Sequence, residues 1–460
     1  MHGKTYQENK HTELAALADA VVTYAEHRVR MAPPLDRPLS EAELEDRVGD
    51  TITAEGFGGV ATMRLFAEDL APACLSTDHP RYLSFIPCAP SDAAVMFDLV
   101  VGASSIYGGS WLEGAGAVYA ENEALRWIAD LAGLPESSGG VFVSGGTAGN
   151  LSALVAARWK WRHDSGGRHD RTRGLIVASR GAHSSVTQAA RVIDSDVLLV
   201  PADAAGRMGG EALTAAVSAM SDDDRQRLFA IVGTAGTTNA GVIDDLTAVA
   251  DVCQETGAWF HADGAYGAAA LAAPSVRDRF AGVERADSLI VDPHKWLFAP
   301  FDVCALLYRD PRIAKAAHTQ HAEYLDVLHE DDGDFNASDY AHHLSRRARG
   351  LPFWFSLATY GTDAYRDAVE TTLRVAHEGA ELIRASEHCE LVLEPELSVV
   401  VFRRTGWTAA EYVAWSAQQL AEETAFVVPS AWNGETVLRY CVVNPNTTVD
   451  DLAAIIDSLK

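Results

Sequence analysis

The 460-residue chain is short of positive charge: 37 Lys and Arg stand against 64 Asp and Glu, a formal net charge of −27 at pH 7. A phosphate backbone would be repelled by such a surface and no basic stripe offsets it, so a nucleic-acid partner is excluded. Cysteine is scarce too. The six present, Cys74, Cys88, Cys253, Cys304, Cys389 and Cys441, show no CxxC spacing. They read as reduced thiols rather than a disulfide or zinc framework, and no metal site is expected. No run approaches the ~20 apolar residues of a membrane span, and the N-terminus lacks the apolar core of a signal peptide. These absences predict a cytoplasmic protein without a membrane partner. Apolar residues make up 48% of the chain, enough at this length for a large core divided between lobes.

From about residue 79 to 350, short apolar runs alternate with helical patterns. Candidate strands are 141–143, 175–179, 197–200, 228–232, 259–262, 288–291 and 303–308, with helices such as 211–220 and 246–255 between them. This alternation predicts an α/β fold with a mostly parallel sheet and helices on both faces. Upstream, Leu14, Leu17, Ala18, Val21, Val22 and Ala25 fall close to helical spacing, and Pro33-Pro34 closes that helix. Beyond Leu351 the pattern becomes a long helix, a strand pair near 390–404 and a helix–strand–helix unit. The expected division is an N-terminal helical segment (1–78), a large domain (79–350) and a small α+β C-terminal domain (351–460).

The stretch richest in chemistry is Asp-Ser-Leu-Ile-Val-Asp-Pro-His-Lys-Trp-Leu, residues 287–297. An apolar strand ends in a turn that presents His294 and Lys295. Such surroundings desolvate an ammonium and are expected to lower its pKa, which suits an amine nucleophile; the alternative is a lysine snorkelling to water. In Ala-Trp-Phe-His-Ala-Asp-Gly-Ala-Tyr-Gly (258–267), Asp263 follows a second buried strand. Ligands of open α/β sheets bind beyond the carboxyl ends of strands, so Asp263 and Lys295 should share one sheet edge. The two read either as a salt bridge or as the pair that pyridoxal 5'-phosphate uses, a lysine for its aldehyde and an acid for its ring nitrogen. Val-Phe-Val-Ser-Gly-Gly-Thr-Ala-Gly-Asn (141–150) is a strand running into a glycine turn, with a helix starting near Gly149; Thr147 and Ala148 are the expected backbone donors to an anion. No Lys-Ser or Lys-Thr pair closes this turn, so it is not a P-loop.

These motifs, in this order and spacing, resemble the pyridoxal-dependent group II amino-acid decarboxylases, the family of aromatic-L-amino-acid and glutamate decarboxylases. The likeness runs from about His79 to Asp451, and Asp-Pro-His-Lys-Trp is its most specific element. It implies the aspartate-aminotransferase type of fold (PLP fold type I) and a homodimer with a shared active site. It also implies roles. Lys295 would hold pyridoxal phosphate, an anionic Asp263 would keep its ring nitrogen protonated, and His183 would stack on the ring and help orient the substrate carboxylate. Thr147, Ala148, Thr234 and His294 would complete the cofactor site. Tyr324, in the irregular stretch 318–345 with its acidic run 330–334, would protonate the substrate carbon from a closing loop. Phe85, Ile86, Tyr107 and Arg439 are substrate-side candidates. The apolar lining at Phe85-Ile86 favours an aromatic or aliphatic side chain over glutamate. Gly109 stands where aromatic decarboxylases carry a bulky residue, leaving the pocket either wider or filled by Tyr107. The expected reaction is α-decarboxylation of an aromatic L-amino acid to the corresponding amine and CO2. The alternatives are an aliphatic, acidic or non-standard substrate, or an aminotransferase or carbon–carbon lyase of the same fold.

Overall fold

The computed structural model describes residues 14–320, 322–323 and 335–460. Its centre is a seven-stranded sheet: β1 (Gly139–Val143), β2 (Gly174–Ser179), β3 (Ser195–Val200), β4 (Leu228–Thr234), β5 (Trp259–Asp263), β6 (Ser288–Val291) and β7 (Cys304–Tyr308). The spatial order is β1-β7-β6-β5-β4-β2-β3. Only the β7 ladders are antiparallel; the β6–β5, β5–β4, β4–β2 and β2–β3 ladders are parallel. Every residue of β2, β4, β5, β6 and β7 is buried, as befits a sheet covered on both faces.

The twofold alternation of side chains divides the core. Val177, Ile231, Phe260, Leu289 and Val291 point to one side. Ile176, Ala230, Val232, Trp259 and Ile290 point to the other. Helix α1 (Leu14–Arg30) lies at the N-terminal end and α2 (Trp111–Leu131) precedes the sheet. Helices α3 (Gly146–Asp164) and α4 (Ser184–Val192) cover the second face through Ala153, Leu154, Val186 and Ala189. Beyond the large sheet come α5 (Leu351–Tyr360), α6 (Thr362–Ala385) and a four-stranded antiparallel sheet of β8 (Cys389–Leu391), β9 (Val399–Arg404), β10 (Ser430–Trp432) and β11 (Glu435–Cys441), ordered β10-β11-β9-β8. Val375, Ala376, Ala380 and Ile383 of α6 pack on it.

Three boundaries differ from the sequence reading in ways that shape the site. Helix α3 begins at Gly146, not near Gly149. Gly149 is instead a close-approach point, because a Cβ there would lie 2.8 Å from Ile290 Cγ2. Strands β4 and β5 also run further than their apolar cores, so that Thr234 and Asp263 are their last residues and sit opposite each other in register.

Candidate active site

The carboxyl ends of β1, β2, β4, β5 and β6 surround a cavity of ≈ 340 Å³, within the range of small-ligand sites. Lys295, Asp263, His183, Thr147, Thr234 and His294 all line it. Sequence separations of more than a hundred residues thus collapse into one concave site.

Lys295 stands on the helical turn Pro293–Trp296 just after β6. Trp296 anchors that turn: it is fully buried, stacks on Tyr266 at 5.2 Å between ring centroids, and donates from Nε1 to Thr372 Oγ1 at 2.8 Å. The Lys295 ammonium meets the buried carboxylate of Asp292, Nζ to Oδ2 2.9 Å. Burial pushes the lysine pKa down, but the Asp292 charge and hydrogen bond outweigh it, and the net direction is upward. The expected lowering is therefore corrected in the protein without its cofactor: the motif's own aspartate holds the amine as an ammonium. Asp292 feels the converse, with burial raising its pKa and Lys295 drawing it below the ordinary carboxylate value.

Asp263, at the end of β5, accepts from Asn150 Nδ2 through Oδ2 at 2.9 Å and from the Ala265 amide through Oδ1 at 3.2 Å. His183 is the N-cap of α4, where its Nδ1 accepts the Ser185 amide at 3.2 Å and lies 2.8 Å from Ser185 Oγ. Across the cavity, Gly145 caps α3 without a side-chain hydrogen bond, and the first helical bond runs from Gly149 N–H to the Gly145 carbonyl at 3.0 Å. The amides of Gly146, Thr147 and Ala148 consequently have no partner inside the helix, the arrangement that attracts an anion. Thr147 lines the cavity; the Ala148 side chain turns to the helix–sheet core. His294 Nδ1 donates to the Val303 carbonyl at 2.7 Å. Its Cε1 would be 3.9 Å from a Cβ on Gly145, so the ring borders the glycine turn. Burial lowers its pKa despite Asp292.

A scan against family models matches residues 63–405 to the pyridoxal-dependent decarboxylase conserved domain. The chain belongs to this decarboxylase family. Among its relatives is the aromatic-L-amino-acid decarboxylase of Bacillus atrophaeus, 27% identical over 96% of this chain and 93% of that protein. The L-2,4-diaminobutyrate decarboxylase of Rhizobium meliloti (strain 1021) is 28% identical over 89% and 83%. The crystal structure of Oryza sativa TDC with PLP and tryptamine superposes with a TM-score of 0.87 at 24% identity, covering 100% of this chain and 98% of that one. The fold is accordingly PLP fold type I, and the protein is a pyridoxal-phosphate-dependent amino-acid decarboxylase.

The decarboxylase's own residues fit that cofactor. The amides of Gly146, Thr147 and Ala148, without a partner inside the helix, open at the cavity as donors that a bound anion would satisfy. A lysine, a carboxylate and unpaired helix amides border the same cavity, the groups that an aldehyde, a ring nitrogen and a phosphate require.

The substrate-side candidates are placed less centrally. Phe85 is 59% exposed, in a left-handed backbone conformation (φ 54°), with its ring 6.1 Å from that of Phe426. Ile86 is buried in the main core. Tyr107 donates its hydroxyl to the Leu344 carbonyl at 3.0 Å, and a Cβ on Gly109 would lie 2.3 Å from Tyr107 Cζ. Tyr107 therefore fills the space left by Gly109. Arg439 is buried and donates from Nη2 to the carbonyls of Phe85 (2.7 Å) and Thr238 (2.6 Å). None of these four lines the cavity of the single chain, whereas Phe301, 56% exposed, does. Tyr324 and the acidic run 330–334 lie outside the described residues. Just downstream, buried Arg346 grips Glu121 of α2 at 2.7 and 2.9 Å, and Glu121 Oε1 also accepts the Gly350 amide at 2.8 Å.

Sequence reasoning gave no role to Asp292 or Asn150. The first was visible as the acidic residue one helical turn before Lys295. The second carried no local signal beyond being an amide at the start of an alanine-rich helix.

Proposed function

We propose that the chain decarboxylates an aromatic L-amino acid, releasing CO2 and the corresponding amine. The observation that carries the site assignment is the meeting of Lys295, Asp263 and the unpaired amides of α3 around one cavity. The aromatic preference is supported by Phe301 lining the cavity, by Tyr107 filling the space beside Gly109, and by the Bacillus relative. The diaminobutyrate relative supports a second reading, in which the side chain carries an amine.

Pyridoxal phosphate, when bound, supplies an aldehyde that captures an amine and a ring that takes up the electron pair left as CO2 departs. Each residue then has a task. Lys295 Nζ would hold the cofactor and hand its place to the substrate amine. The Asp263 carboxylate would hold a proton at the ring nitrogen by charge complementarity. His183 would lie over the ring and, from Nε2, orient the substrate carboxylate. Thr147 and Ala148 amides, with His294, would hold the phosphate, and Thr234 would offer its hydroxyl. Tyr324 would return a proton to the substrate carbon. Tyr107 lies outside the cavity of one chain, which supports its acting from a second copy, as do Ile52 and Leu112, 96% and 64% exposed. Sedimentation at the mass of a single chain would remove that part of the reading.

The decisive experiment is incubation of the PLP-loaded protein with individual L-amino acids, with amine and CO2 measured by mass spectrometry. Equal amounts of both from tryptophan, tyrosine or a related aromatic are expected. Turnover confined to diaminobutyrate or another non-aromatic amino acid would overturn the substrate assignment. An aldehyde or keto acid in place of amine would overturn the protonation step given to Tyr324.

A further inference from the structure

Asn150 lies on the first turns of α3, 1% exposed, with every polar atom engaged. Counting donors settles how its amide is turned. Trp259 Nε1–H can only donate, and does so to Ser288 Oγ at 2.7 Å. The Ser288 proton can then go to His261 Nδ1 at 2.8 Å, consistent with a His261 proton on Nε2 that donates to Asn150 Oδ1 at 2.7 Å. Asn150 Nδ2 therefore faces the other way and divides its two hydrogens between Asp263 Oδ2 (2.9 Å) and Ser185 Oγ (2.8 Å). An ionised Asp263 can only accept, which fixes this orientation and with it the proton on His261 Nε2. Having accepted from Asn150, the Ser185 hydroxyl donates to His183 Nδ1 at 2.8 Å, where the Ser185 amide also donates at 3.2 Å. Neutral His183 must then carry its proton on Nε2.

We propose that Asn150 is a positioning residue: one buried amide, aimed by the Trp259–Ser288–His261 chain, sets the orientation of Asp263 and, through Ser185, the tautomer of His183. The two groups assigned to opposite tasks on the cofactor are thus coupled through a residue that need not touch it. Burial also holds His261 at a pKa of about 4, so the imidazole stays neutral and the relay keeps one direction. This inference rests on reading the cavity as the pyridoxal phosphate site.

The test is the affinity of the full-length protein for pyridoxal 5'-phosphate, followed by cofactor absorbance and intrinsic fluorescence, in wild type, Asn150→Ala and Asn150→Asp. The titratable groups around position 150 are Asp263 and His261 on β5, His183 before α4, and Lys295, whose charge acts on Asp263's surroundings. Asn150→Ala removes the donor from Asp263 and should weaken binding about 10- to 100-fold at every pH. Asn150→Asp keeps the shape but places a second carboxyl beside Asp263. Ionised it repels, and protonated it donates. Its affinity relative to wild type should therefore recover as pH falls from about 8 to about 6, a rescue that alanine cannot show and that a space-filling role would not produce. Wild-type affinity in Asn150→Asp throughout that range would overturn the proposal. If Asn150→Ala gives no cooperative thermal melt, Ser185→Ala, which cuts only the His183 arm, replaces it and should weaken binding less. Wild type that fails to bind the cofactor, or binds it equally after Lys295→Ala, would instead remove the reading of the cavity and this inference with it.

Discussion

Burial and a counter-charge pull Lys295 in opposite directions, and the 2.9 Å contact with Asp292 decides between them. A neutral amine is the form that attacks an aldehyde, so Asp292 restrains capture of the cofactor at low pH. Removing the carboxylate leaves burial unopposed, and burial disfavours the ammonium. Asp292→Asn should therefore shift the midpoint of the cofactor-association rate to lower pH, read by stopped-flow absorbance across a pH series. An unchanged or higher midpoint would contradict the assigned role. Much of this site was legible at the residue scale because Lys295, Asp263 and the glycine turn each follow an apolar strand, and strand ends converge by topology. The Asp292 pair and the Asn150 hub were not, since both depend on which side of a helix or turn faces a strand more than a hundred residues away or a neighbour whose rotamer sequence does not specify. Arg439 shows the same limit: its alignment in a strand said nothing of the two carbonyls that accept from its Nη2.

Among elements, the strands were readable because those buried on both faces are continuous apolar runs, while their polar last residues, Thr234 and Asp263, were not. The start of α3 was misplaced because Gly149 looks like helix punctuation, whereas the structure uses it to bring the helix against Ile290. The segment after residue 335 is tied down by Arg346, which holds Glu121 of α2 inside the core, 1% and 3% of the side chains remaining exposed. Truncating one partner strands the other charge in a dry interior, a loss of about 3–5 kcal/mol. Arg346→Ala should lower the denaturation midpoint in urea accordingly, and Glu121→Ala should match it. A loss below ~1 kcal/mol, the level of an exposed pair, would contradict the burial argument.

At the scale of the whole molecule, alternating strands and helices over residues 139–308 build one sheet edge, and the small antiparallel sheet closes over its end: Leu397 and Val399 pack with the main core, and the Tyr266 hydroxyl lies 2.7 Å from Ser398 Oγ. The α/β class was legible because alternation is a property of the whole chain. What fills the mouth of the cavity was not, because neither Phe85 nor Tyr107 lines the cavity of a single chain. The central claim, that this edge is where the decarboxylase holds its cofactor, is tested most directly by borohydride reduction of the PLP-loaded protein followed by peptide mapping. The account predicts a single phosphopyridoxyl adduct on Lys295, absent after Lys295→Ala; an adduct on another lysine, or one that persists in that variant, would contradict it.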